Sequence, residues 1–167
     1  MRRILHASDF SAASRPAFER AVEMARANRA GLLLVHVITR GQLIPADFGS
    51  PRAYQELHES VRRRAEQELE ALRTRAARAG VRATWLVLEG VPGREIVGAA
   101  SAHRADLIVV GTHGRTGLPS FFLGSVATRV AATAPCPVVT VRADTARVAR
   151  RPRTRASPRR RAREGKR

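Results

Sequence analysis

Apolar residues along this chain follow two alternating rhythms. Arg3-Ile4-Leu5-His6-Ala7 is a short strand-like run, and Leu32 to Ile38 is apolar at nearly every position, as expected of a central strand covered on both faces. Between them Phe18, Ala21, Val22 and Ala25 recur at three and four residues, which predicts a helix capped by Ser11 or Ser14, with Pro16 in its first turn and Gly31 ending it. A longer helix over 52–79 is marked by Leu57, Val61, Ala65, Leu69, Leu72, Ala76 and Ala79, and Gly80 stops it. Val81 to Leu88 reads as a third strand. The turn Gly90-Val91-Pro92-Gly93 leads into a short helix over 95–102, and Ala105 to Val110 is a fourth strand. Leu123, Val126, Ala127, Val130 and Ala131 form one side of a fourth helix, Pro135-Cys136-Pro137 breaks it, and Val138 to Arg142 is a fifth strand. Residues 41–51, with Pro45, Gly49, Ser50 and Pro51 and no period, are a loop of the kind that covers ligands or meets partners. Strands alternating with helices predict an α/β fold built on a parallel sheet.

Composition narrows this picture at its end. The chain has 167 residues and a net charge of +17, and residues 147–167 hold eleven of its 31 Lys and Arg against one acid, Glu164. That leaves +10 in the last segment and +7 in the remaining 146 residues. With Pro152, Pro158 and almost no apolar side chain after Val148, the segment cannot bury enough surface to offset its ordering entropy, so it is expected to be a disordered tail on a domain spanning 1–146. Its basic groups suit non-specific binding of nucleic acid or another polyanion, with the alternative of a merely solubilising extension. No aromatic stacks there, and neither a helix-turn-helix nor a zinc pattern supports sequence-specific reading. A single cysteine, Cys136, excludes an intrachain disulfide framework, and no apolar run approaches the ~20 residues of a membrane span. A cytoplasmic setting is the expectation.

The candidate chemistry follows the fourth strand, in Gly111-Thr112-His113-Gly114-Arg115-Thr116-Gly117 and then Leu123-Gly124-Ser125. A phosphate needs several converging backbone donors, hence residues without a Cβ where the chain approaches closely. Gly111 and Gly114 could supply that approach, Gly124-Ser125 could add amides, a hydroxyl and the positive end of a helix dipole, and His113 and Arg115 could add donors or charge. Neither of the best-known phosphate loops is present, because no lysine precedes Lys166 and Gly-x-Gly-x-x-Gly is missing. Tight turns alone would explain an isolated Gly-x-x-Gly; the added Gly124-Ser125 and the strand-loop-helix setting favour phosphate.

These residues resemble the universal stress protein family. Its Gly-x2-Gly-x9-Gly-(Ser/Thr) pattern is met by Gly111, Gly114, Gly124 and Ser125, and its first strand ending in Asp by Ile4-Leu5-His6-Ala7-Ser8-Asp9-Phe10-Ser11. Val35-His36-Val37-Ile38, Val91-Pro92 with Glu95-Ile96-Val97, and the run from Pro137 to Arg142 fit as well, so the similarity covers about residues 2–142. The resemblance implies a Rossmann-like, adenine nucleotide α-hydrolase-like sheet in the order 3-2-1-4-5, with ATP and Mg²⁺ at the C-terminal ends of strands one and four. It implies that Ala7 and Ser8 line the base, that Val37 touches adenine through its backbone, and that Asp9 meets the ribose or adenine side. Gly111, His113, Gly114, Arg115, Gly124, Ser125 and Val126 would hold ribose and phosphates. Asp9 has a second reading as an N-cap or Asx-turn residue, and the two roles can coexist. The family also implies a homodimer through Val138–Arg142 and a regulatory stress-response role. Turnover is not indicated, since neither paired acids nor a Ser-His-Asp order nor metal-ligand spacing occurs, although slow ATP hydrolysis or self-phosphorylation at Ser125 is compatible with the resemblance. His36 and Trp85 are expected to be packed in strands, His6 to be a strand residue near the site, Cys136 to be small and buried, and the charges of the 52–79 helix to be a solvated face.

Overall fold

A computed structural model describes residues 1–39, 51–112 and 124–142. The predicted loop 41–51, most of the glycine-rich segment and the basic tail fall wholly or almost wholly outside the described residues. In chain order the elements are β1 (Arg3–Ala7), α1 (Arg15–Ala27), β2 (Gly31–Ile38), α2 (Pro51–Arg78), β3 (Ala83–Glu89), α3 (Pro92–Ala102), β4 (Leu107–Gly111), α4 (Ser125–Thr133) and β5 (Val138–Val141). All strand pairs are parallel, and the sheet order is β3-β2-β1-β4-β5.

Strand alternation sorts the core onto two faces. Ile4 of β1, Leu32 and Leu34 of β2, and Leu107 and Val109 of β4 point to one side, where they meet Phe18, Ala21 and Ala25 of α1 and Leu69 and Ala76 of α2. Leu5, Leu33, Val35, Val37, Ile108 and Val110 point to the other, against Ile96, Ala99 and Ala100 of α3 and Ala127 and Val130 of α4. Residues such as Leu34 and Ile108 are fully buried, each a contribution of roughly 1.5–3 kcal/mol from removing its side chain from water. Because β1 lies between β2 and β4, and the helices that follow β1 and β4 (α1 and α4) pack on opposite faces, the strand order reverses beside the C-terminal end of β1.

The boundaries differ from the expected ones where local geometry prevails. Gly31 does not end α1; it opens β2, its amide donating to the Arg2 carbonyl at 2.8 Å. The break falls at Asn28, which caps α1, and at Arg29, whose φ of 51° is left-handed. Ser14 stands at the N-cap of α1 but gives its hydroxyl to the Ser11 carbonyl (2.9 Å), not to a helix amide. β3 starts at Ala83, after the buried Val81, α3 starts at Pro92, and β4 runs from Leu107 into Gly111. β5 ends at Val141, one residue short of the expected Arg142. On α4, Val126 and Ala131 are exposed, leaving Ala127 and Val130 as its packed residues. Cys136 is half-buried, its thiol pushed up by burial and by the nearby Asp106.

α2 does carry a charged outer face, with Arg62–Glu66 and Arg63–Glu59 pairs one turn apart. Glu70 has a more particular role. Arg73 grips it through Nε and Nη2, and Trp85 of β3 donates its indole N–H to Glu70 Oε2 at 3.1 Å, so Trp85 is hydrogen-bonded as well as packed. These donors hold the Glu70 carboxyl down at about 2.

Candidate functional site

A cavity of about 290 Å³ opens where the strand order reverses. Its floor is apolar, made by Val35, Val37, Val110, Ile96 and Ala127, the last two from α3 and α4. Its rim is polar. Ser8 and Asp9 follow β1, Thr39 follows β2, Gly111 and Thr112 end the β4 limb, and Gly124, Ser125 and Val126 open α4. An apolar slot with a few aimed polar groups is the usual form of a site for a small organic ligand.

The β1 limb is held by a tight network. Ser8 continues the ladder through its amide to the Val35 carbonyl (2.9 Å), and its hydroxyl accepts the Phe10 amide (3.1 Å). Since Ser14 gives its hydroxyl proton to Ser11, the 3.2 Å contact between the two hydroxyls runs from Ser8 to Ser14. Asp9 Oδ1 accepts both the amide (3.0 Å) and the hydroxyl (2.7 Å) of Ser11, an Asx-turn that fixes the carboxylate at the cavity wall. The turn forces Phe10 to a left-handed φ of 62° and lays its ring on His36, with centroids 4.3 Å apart. His36 in turn donates its Nδ1–H to the Ser8 carbonyl (2.8 Å) and lines the cavity, so it belongs to the site and not only to the strand.

The β4 limb and α4 are joined by backbone. Thr112 donates to Val141 (2.9 Å) and accepts the Gly124 amide (2.8 Å), so the Gly124 N–H expected to face a ligand is already used. A Cβ at Gly124 would lie 3.0 Å from the Thr112 carbonyl oxygen, so a side chain there presses on that backbone. The first intrahelical bond runs from Thr128 to Gly124, which leaves the Ser125, Val126 and Ala127 amides at the N-terminus of α4, beside the cavity. Val126 is exposed because it forms the lip of this cavity, not the helix's packed stripe.

His6 sits behind the site on the opposite face of β1 and does not line the cavity. It is fully buried against Phe18 and donates its Nδ1–H to the Val109 carbonyl (3.0 Å), while Nε2 has no hydrogen-bond partner among the described residues. Burial drives its pKa down to about 4, against smaller opposing effects of the Val109 bond and of Asp9, so the ring is neutral at physiological pH.

Of the residues singled out from the sequence, Ala7, Ser8, Asp9, Val37, Gly111, Gly124, Ser125 and Val126 all lie on this cavity. His113, Gly114 and Arg115 lie outside the described residues. Sequence reasoning missed Ser14, His36, Thr39, Pro92, Ile96 and Thr112 as lining residues. Thr112 had a signal in its place between Gly111 and Gly114, and His36, Pro92 and Ile96 in the segments that fit the family pattern.

The profile of the universal stress protein family matches residues 1–142. This chain belongs to the universal stress protein family. A universal stress protein of Thermus aquaticus is 39% identical over 140 residues, covering 83% of this chain and 97% of the relative. Among solved structures, the universal stress protein UspA of Lactobacillus plantarum superposes with a TM-score of 0.72 at 25% identity, over 84% of this chain and 97% of that one. A universal stress protein crystallised in complex with cAMP has a TM-score of 0.60, also at 25% identity, over 84% of this chain and 96% of that one. Among the described residues of this universal stress protein, Asp9 is the one carboxylate lining the cavity and no group of three metal-ligating side chains occurs. No helix among the described residues is long and apolar enough to cross a membrane.

Proposed function

We propose that this universal stress protein binds an adenine nucleotide, ATP, in the cavity beside β1 and β4, and acts in a regulatory stress response through occupancy of that site. One observation carries the reading: the first turn of α4, whose Ser125, Val126 and Ala127 amides precede the first intrahelical bond, lines the same cavity as the apolar floor and Asp9. The base packs over the apolar floor near Ala7, Ser8 and the Val37 backbone, Asp9 receives the ribose side, and the phosphates run toward Gly111, Ser125 and Val126. His113, Gly114 and Arg115 complete the phosphate side. The structure with bound cAMP supports an adenine nucleotide as the ligand class in a relative of this fold. With Asp9 as the one carboxylate on the wall among the described residues, Mg²⁺ would enter on the phosphates, and no chemical step is assigned to it. Calorimetric titration with ATP tests the reading directly. Gly124→Val pushes against the Thr112 carbonyl and moves the α4 terminus, so affinity is lost; unchanged affinity would count decisively against the site.

Two partner readings accompany it. Among the described residues β5 pairs with β4 alone, and its outer edge offers backbone groups for a homodimer. Light scattering that finds only an 18.3 kDa species removes that reading. The eleven basic residues of 147–167 are read as a polyanion-binding tail. A chain ending at Asp144 then loses affinity for nucleic acid, and full retention disproves it.

A further inference from the structure

The end of the sheet where the strands begin has a character of its own. Arg2 and Arg3 open β1, Arg29 precedes β2, Arg82 precedes β3, Arg104 precedes β4, and Arg26 and Arg78 lie in the last turns of α1 and α2. All seven are exposed, and none is ion-paired among the described residues. In the segments that connect these elements the one carboxylate is Asp106, and it is spent on the backbone amides of Arg2 and Arg3. Complementing helix dipoles accounts for Arg26 and Arg78. It does not account for Arg2, Arg29 and Arg82, which lie outside the helices.

These positions are set by the sheet itself. The Arg2 carbonyl accepts from Gly31, the Arg82 carbonyl from Leu32 and the Arg3 carbonyl from Asp106, so three of the backbones are pinned in the hydrogen-bond ladder. Arg29 and Arg104 are fixed in left-handed turns, at φ 51° and 50°. From Arg82 through Arg29 and Arg2 to Arg104 the row crosses three strand spacings, about 14 Å. Along a duplex axis that length holds about eight phosphates, counting both strands. Guanidinium groups bind such oxygens in a bidentate fork.

We propose that this face binds the phosphodiester backbone of nucleic acid, independently of the tail and at the opposite end of the sheet from the cavity. An anionic membrane fits less well. Among the described residues the exposed large apolar side chains are Met1, Tyr54, Val91 and Val126, and of these only Met1 lies at this end, so the described face offers little to enter a lipid interface.

The test uses the full-length protein, a fluorescent duplex of about 20 base pairs and anisotropy over a salt series. Changing Arg2, Arg29, Arg82 and Arg104 together to Gln weakens binding about tenfold or more and flattens the dependence of log affinity on log salt by about 3 to 4, at about 0.9 for each phosphate left unneutralised. The same four positions changed to Lys keep the slope. The proposal is overturned by a Gln variant that binds like the parent, by a Lys variant that binds as weakly as the Gln one, or by polyglutamate displacing the duplex at equal charge concentration. A readout on the unaltered protein is arginine modification by phenylglyoxal, followed by mass spectrometry. Bound duplex protects Arg29, Arg82 and Arg104; equal labelling with and without it also overturns the assignment. ATP affinity is unaffected in either variant, so failure here and failure of the nucleotide reading are separable.

Discussion

The two ends of this sheet present opposite kinds of recognition on one scaffold. At the C-terminal end, helices on both faces diverge from a reversal of strand order and leave a concave, apolar slot lined by the first turn of α4 and by the Asp9 carboxylate. At the other end the connections are short turns, and the chemistry is a row of arginines fixed by backbone. The first arrangement selects a ligand by enclosure, the second by charge spacing. Topology alone creates the difference, because parallel strands gather all their starts at one end and all their exits at the other.

The comparison is broken most severely at the slot. Gly124→Val lowers ATP affinity at least about a hundredfold, near 3 kcal/mol, while duplex binding stays as it was; isothermal titration against both ligands reads the contrast. Next comes a perturbation that strikes both ends through the shared core. His6 is neutral when folded, with its pKa lowered from 6.5 to about 4, whereas the unfolded chain takes up the proton near 6.5. Stability is therefore complete above about pH 6.5 and falls as pH drops toward 4, by about 3 kcal/mol. Urea unfolding at pH 7 and pH 4.5 measures this, and His6→Leu abolishes most of the difference; an equal pH dependence in that variant refutes the assignment. The four-arginine Gln variant, with its roughly tenfold effect at one end only, follows. Smallest is Glu70→Gln, which belongs to neither end. It alters emission from Trp85, the one tryptophan, and leaves ligand affinities unchanged. Because Glu70 is held near 2, the parent's emission shifts on acidification toward pH 2 and not near the ordinary carboxylate range.

Much of the architecture was legible because strands buried on both faces read as unbroken apolar runs, as in Leu32 to Ile38, and helices carry a stripe such as Phe18, Ala21 and Ala25. Boundaries were less so. Gly31 looked like a helix stop, yet the left-handed residue is Arg29, an arginine tolerating φ of 51° where the turn demands it. For the site, the glycine spacing and the Asp9 turn were readable locally, since each lies within one stretch of chain. His36, Pro92 and Ile96 were not, because they reach the cavity from other strands and helices through pairing that no local pattern encodes. The Gly124 amide illustrates the same limit: a glycine that spacing assigns to a ligand spends its donor on Thr112. The arginine row is scattered over a hundred positions of sequence and becomes a row only when the strands align.

Gly124 hangs from Thr112, and Thr112 hangs from Val141. This short relay of main-chain dipoles links the mouth of the crevice to the outermost strand without any side chain taking part. Whatever tilts the start of α4 must stretch that relay or carry β5 along, so the pocket wall and the rim of the sheet behave as a single plate.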